Sequence, residues 1–197
     1  MKNSFETGKM YAITGKSGSG KSTLLSLLAG LDTPAAGEIF IEGQSLKNID
    51  RDEYRRKQAS VVYQAFHLFP LLNAVENVMF PMELNGVKQT EAKLQAEELI
   101  KKVGLEAKIF RQFPKMMSGG EQQRIAIARA MASKGTILLA DEPTGNLDSK
   151  NEELITALLK KLAYEEQYTV IVVTHNAAVS KKADIVYVMQ DGELKGE

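Results

Sequence analysis

The chain has 197 residues, 44% of them hydrophobic, which suits one packed domain or one domain with a small subdomain. Lysine plus arginine and aspartate plus glutamate number 25 each, and this zero balance argues against a nucleic-acid binder working through a broad basic surface. There is no cysteine, which excludes disulfides and thiol chemistry, and no apolar run approaches the ~18 residues of a membrane-spanning helix.

The segment Met1-Lys2-Asn3-Ser4-Phe5 has one lysine and no long apolar stretch, so it does not read as a signal peptide. The cysteine-free composition suits a reducing cytosol, and any membrane link is expected to go through a partner. Met10-Tyr11-Ala12-Ile13-Thr14 reads as a buried strand. The next nine residues, Gly15, Lys16, Ser17, Gly18, Ser19, Gly20, Lys21, Ser22 and Thr23, fit G-x-x-x-x-G-K-[ST], a phosphate-binding loop. Its glycines let consecutive backbone N–H groups turn inward, and the helix that follows presents its positive end. Leu24, Leu25, Leu27 and Leu28 read as the buried side of that helix, which stops near Gly30.

After a turn cluster at residues 32–37, Glu38 to Glu42 alternates with period two and stops at Gly43, as a strand does. Asp50 to Arg56 reads as a short charged helix, and Ala59 to Tyr63 as a second core strand ending at Gln64. Phe66, Leu68, Phe69, Leu71 and Leu72 crowd around Pro70, and Asn73 then precedes a helical Val75-Glu76-Asn77-Val78. This cluster either docks a partner or packs beneath the neighbouring helices. Thr90 to Val103 is an amphipathic helix with Ala92, Ala96, Leu99, Ile100 and Val103 on one face, stopped by Gly104. Gly119 to Ser133 is a further helix, with Ile125, Ala128 and Ala132 on one side.

Ile137 to Ala140 predicts a third core strand closed by Asp141-Glu142. Pro143 is expected to hold Glu142 in extended geometry. Ser149 and Glu152 read as a capping box opening a helix with Leu154, Ile155, Leu158, Leu159 and Leu162 inward. Val170 to Val173 and Ile185 to Met189 read as two more strands, the first ending in Thr174-His175 and the second in an Asp191-Gly192 hairpin-type turn. Apolar strands alternating with helices predict an α/β fold with a mostly parallel sheet covered on both faces. Gly15, Gln64, Asp141 and His175 all follow strands, at the carboxyl edge where such sheets bind ligands.

Beside a phosphate loop, a strand-end carboxylate has a use in holding Mg²⁺, and a second one in polarising the water that attacks a γ-phosphate. Met117-Ser118-Gly119-Gly120-Glu121-Gln122-Gln123-Arg124 supplies another anion-ready helix start: Ser118 caps it, and Gly119 and Gly120 leave its N–H groups bare.

With these motifs in order, the chain resembles the nucleotide-binding subunit of ABC transporters, a P-loop NTPase fold with a helical signature subdomain and a reduced antiparallel β subdomain. The matches are Gly15–Thr23 as phosphate loop, Gln64 as Q-loop, Ser118–Gln122 as signature, Ile137–Glu142 as Walker B, Asn146-Leu147-Asp148 as D-loop and His175 as switch histidine. Residues 64–70 with Glu76-Asn77-Val78, and residues 141–148, resemble the branch serving macrolide, lipoprotein and peptide exporters.

The resemblance implies one ABC ATPase domain, with its core at about 1–64 and 134–197 and its helical subdomain at about 65–133. It implies a head-to-tail pair of subunits with two ATP molecules between them, on the inner face of the cell membrane beneath a transmembrane permease. In that arrangement Lys21 and the loop amides hold phosphate, Ser22 and Gln64 meet Mg²⁺, and Asp141 supports it. Glu142 is the base, and His175 contacts the γ-phosphate. Ser118 and Gly120 reach ATP on the other subunit, with Gly119 between them and Asp148 lining the seam.

The family's usual N-terminal strand segment, with its adenine-stacking aromatic, has no counterpart ahead of Phe5, and Met117 stands where leucine is usual. The alternatives to a transport motor are a mechanical regulator of a membrane partner and a weakly active, shortened ATPase. A DNA-repair ATPase of this type would carry a long coiled-coil insertion between Gln64 and Ser118, and the sequence has one compact helical region there.

Overall fold

The computed structural model describes residues 3–196. Its centre is a six-stranded sheet in the order β4 (Ala59–Tyr63), β5 (Ile137–Asp141), β6 (Thr169–Val173), β1 (Met10–Thr14), β7 (Ile185–Gln190), β8 (Glu193–Gly196). The first five are parallel and β8 returns antiparallel to β7 through the Asp191-Gly192 turn, both residues at positive φ. The parallel strands are mostly apolar because helices cover both faces of the sheet. Tyr11, Ile13, Leu139, Ile171 and Val173 face α1 (Lys21–Leu28), where they meet Leu25 and Ala29. Met10, Val62, Leu138, Ala140, Val170 and Val172 face the opposite way, into the larger core.

That larger core runs unbroken from the sheet into three helices inserted between β4 and β5. These are α3 (Ala74–Leu84), α4 (Gln89–Lys102) and α5 (Gly119–Ala132). Ala92, Ala96, Ile100 and Val103 are buried as their spacing predicts, with Leu99 packed at the margin. α5 is buried on nearly every side, including Ile125 to Ala128, because it passes between the other helices and the sheet. The remaining helices are α2 (Arg51–Lys57), α6 (Ser149–Glu166) and the short α7 (Ala177–Ser180). Buried Tyr54 ties α2 to α1 by donating to the Leu28 carbonyl at 2.8 Å, and burial pushes its phenol up to about 12. Among the described residues no helix is long and apolar enough to cross a membrane.

Several expectations change. The alternating run at residues 38–42 pairs only over β2 (Phe40–Ile41), with β3 (Gln44–Ser45), in a separate hairpin. Glu42 and Gly43, both at positive φ, make its turn, so pairing is local. β4 lies at the sheet edge and is only half-buried, because one neighbour is missing. In α1 only Leu25 is fully buried. Ser149 and Glu152 form no capping box: the N-cap is Asp148, whose carboxylate accepts from the Asn151 N–H at 2.9 Å. Leu154 points outward, 45% exposed, because Ile155, Leu159 and Leu162 form the stripe that faces the core and Leu154 lies about 100° from Ile155 around the helix.

Candidate active site

The loop after β1 owes its path to contacts beneath it. At Gly15, with φ +142°, a Cβ would sit 2.3 Å from the Met189 carbonyl oxygen, so no side chain fits. The β7–β8 turn supports the loop from the same side, the Gly192 N–H donating to the Ser19 carbonyl at 3.2 Å. Gly20 is the N-cap of α1 in left-handed geometry and has no side chain to cap it. The first N–H groups of α1 are therefore left for an anion, where the helix end is positive. Lys21 folds back over the loop, its Nζ donating to the carbonyls of Gly15 at 2.8 Å and Lys16 at 2.9 Å.

Opposite the loop stand the ends of β5 and β6. Together they enclose a cavity of about 430 Å³ lined by the loop, Asp141, Glu142, Val173 and His175. Ser17, Gly18, Ser22 and Thr23 line it, whereas the Ser19 hydroxyl is buried beneath the loop without a partner and Lys16 is exposed. Burial and the neighbouring Glu142 charge push the Asp141 carboxyl up, opposed by a hydrogen bond with Ser22 and by the Lys21 charge.

Glu142 is not extended as its place before Pro143 suggests, but lies at φ +47°. Its N–H donates to the Val173 carbonyl at 2.9 Å and its carbonyl accepts the Gly145 N–H at 3.1 Å. This fixes a backbone conformation that costs on the order of 1–3 kcal/mol. The conformation delivers the carboxylate to His175, whose Nδ1 lies 2.8 Å from Oε1 while its N–H donates to Oε2 at 3.3 Å.

Gln64 sits just outside this cavity lining. Its Nε2 donates to Asn146 Oδ1 at 3.0 Å and its carbonyl accepts from Asn146 Nδ2 at 3.3 Å, leaving its amide oxygen as the free end. Ser22, Asp141 and Gln64 thus offer a hydroxyl, a carboxylate and an amide oxygen, the hard donor set that suits Mg²⁺. Among the described residues no cluster of three His, Cys, Asp or Glu could hold a metal alone. The ion fits as a companion of phosphate, for which it supplies charge neutralisation when bound.

Ser118, Gly119 and Gly120 are not brought into this cavity. They start α5 outside it, with Ser118 exposed and Gly120 buried against Asn151. Ser118 Oγ accepts the Glu121 N–H at 3.3 Å, and its own N–H donates to Glu121 Oε2 at 2.8 Å. That backbone N–H and the Ser118 hydroxyl hold the Glu121 carboxyl below its usual range. A Cβ at Gly120 would lie 2.1 Å from Asn151 Oδ1, so α5 and α6 touch at their starts, beside Asp148. Asn151 is not singled out by the sequence, and Asn146 enters there only as the first residue of the D-loop match; the fold alone sets it against Gln64.

A P-loop nucleotide-binding cassette is the class that this sheet, loop and inserted helical region define. The family model for ABC transporters matches residues 1–145. The lipoprotein-releasing system ATP-binding protein LolD 2 of Rhodopirellula baltica is 42% identical over 97% of this chain and 78% of its own length. LolD of Saccharophagus degradans is 44% identical over 96% and 84%. The dimeric structure of MJ0796, a bacterial ABC transporter cassette, superposes with TM-score 0.89 at 40% identity, over 99% of this chain and 87% of that one. A post-hydrolysis state of the same cassette, bound to ADP and Pi, matches equally.

The chain belongs to the ABC transporter family as an ATP-binding subunit. It is an ATPase, and it uses ATP with Mg²⁺.

Proposed function

We propose that the chain drives a membrane exporter or extractor by closing head to tail with a second copy on two ATP molecules. One observation carries this reading: the two anion-ready glycine elements lie apart in one chain. The loop at Gly15–Thr23 shares a cavity with Glu142 and His175, while Ser118–Gly120 start α5 outside it. A second copy supplies the missing half. The dimeric cassette structure supports it.

In the closed pair Lys21 releases the carbonyls of Gly15 and Lys16 to take phosphate oxygens. Glu142, aimed by its backbone and by His175, accepts a proton from the attacking water, and His175 contacts the γ-phosphate. Ser22, Asp141 and Gln64 hold Mg²⁺. Ser118 and Gly120 grip the partner's ATP, and Asp148 lines the seam. Residues 1–64 and 134–197 form the core, and 65–133 the helical subdomain. The work of ATP-driven closure and hydrolysis passes to a transmembrane permease, with this chain on the inner face of the membrane. The lipoprotein-releasing relatives favour the exporter or extractor branch over a purely mechanical regulator.

The docking surface is the groove of about 390 Å³ between the β4 edge and the inserted helices, lined by Leu31, Phe69, Phe80 and Leu84 with Arg55 and Arg129. Phe69 and Leu71 are 39% and 86% exposed, whereas Leu68 packs on the core and Phe66 stands beside Gly119. The cluster around Pro70 therefore divides between docking and packing.

Turnover should fall at least about a hundredfold in Lys21→Ala and Glu142→Gln, and Glu142→Gln should run as an ATP-dependent dimer by light scattering. Mixing Lys21→Ala with Ser118→Arg restores one intact composite site per mixed pair. Recovery of turnover above the sum of the two supports the reading; no recovery defeats it.

A further inference from the structure

The geometry points to Gln123 as a positioning residue for hydrolysis, one that ties the signature helix to the peptide just ahead of Gln64. It rests on the role proposed above for Gln64. Gln123 lies in the second turn of α5 and is completely buried. Its Nε2 donates to the Tyr63 carbonyl at a long 3.4 Å, and its Oε1 is buried with no partner. Tyr63 is the last residue of β4 and pairs in register with Asp141. The chain leaves the sheet for the inserted helices at this point, and α5 is the last of those helices before the chain returns at β5. Gln123 is thus a cross-link between the outgoing and returning arms, placed between Ser118–Gly120 at one end and Gln64 with Asn146 at the other.

Stability does not explain the residue. The Tyr63 carbonyl also accepts the Phe66 N–H at 3.3 Å, so it keeps a donor if Gln123 is removed. Replacing Gln123 by methionine, similar in length and volume, creates no new unsatisfied group and removes one. A half-satisfied buried amide that an apolar side chain could replace without loss calls for another role. Setting the Tyr63–Gln64 peptide relative to α5 is that role: it fixes how far the Gln64 amide oxygen reaches toward the metal and water, in step with the signature helix.

The test uses the whole chain and its Mg²⁺-dependent ATP turnover. Gln123→Met should lower kcat about tenfold, as loss of a supporting contact around reacting groups commonly does. KM for ATP should stay within about twofold, since the phosphate loop is untouched. The melting temperature should be unchanged or higher. Wild-type kcat in Gln123→Met overturns the inference. So does a kcat that falls together with the melting temperature, which marks Gln123 as a packing residue. A parallel Gln64→Ala separates the two levels. If it leaves turnover and Mg²⁺ dependence intact, the Gln64 assignment itself fails and takes the inference with it. If it impairs both while Gln123→Met does not, only the inference fails.

Discussion

Asn77 shows how one side chain organises the loop around Pro70. It is fully buried in α3, its Oδ1 accepts the Phe69 N–H at 2.8 Å, and its Nδ2 reaches the carbonyls of Phe69, Leu72 and Asn73 at 3.2, 2.8 and 3.0 Å. It supplies internally the partners that the backbone around Pro70 would otherwise take from water. Arg129 does the same one step earlier, donating to the carbonyls of His67 at 2.6 Å and Phe66 at 3.2 Å. Phe66 and His67 are both at positive φ, and these bonds help hold that tight path. Asn77→Ala should destabilise the chain by about 3 kcal/mol, because it strands several buried groups at once. Urea unfolding measures it, and a loss under about 1 kcal/mol would show that water replaces the amide.

Helix starts carry much of the site, and they differ in kind. α1 begins at a glycine with no cap, so its N–H groups stay available. α5 and α6 begin at Ser118 and Asp148, each capped by its own side chain. Asp148 accepts hydrogen bonds from the Asn151 backbone and side chain, which hold its carboxyl below the ordinary value of 3.8. A lowered folded-state pKa contributes stability that is complete above the unfolded value and lost as pH falls through the folded one. Asp148→Asn keeps a neutral cap. The variant should melt lower than the wild type at neutral pH, and the gap should close as pH falls below 3.8. Melting curves across that range decide it: a gap that does not narrow as pH falls below 3.8 assigns the cap no charge-dependent part.

At the scale of the whole molecule, the sheet sets the phosphate cavity and the proposed docking groove at separate addresses. The phosphate cavity lies at the carboxyl ends of β1, β5 and β6, and the apolar groove flanks the edge strand β4. One continuous apolar core joins the inserted helices to the sheet behind both. Changes in the groove should therefore leave the chemistry alone. If the groove is the docking surface proposed above, Phe69→Ser keeps the isolated subunit's ATP turnover within about twofold while abolishing transport with the proposed permease. If turnover and the melting temperature collapse as well, Phe69 belongs to the fold and not to an interface. Phe66 is the poorer probe, since it lies against Gly119 at the signature.

Local sequence determined most of the elements and their order, the phosphate loop, the cap at Ser118, and the strand-end placement of Gln64, Asp141 and His175. Those features depend on neighbours a few residues away: apolar period, glycine at a tight turn, a short polar side chain before a helix. The tertiary structure decided what depends on distant backbone. It made β4 an edge, moved the α6 cap to Asp148, set Asn146 against Gln64, and left Glu142 at positive φ against the local preference before proline. Such outcomes arise where packing and long-range hydrogen bonds outweigh a local bias of about a kcal/mol or two, and they gather at the nucleotide site because bonds across the sheet hold it there.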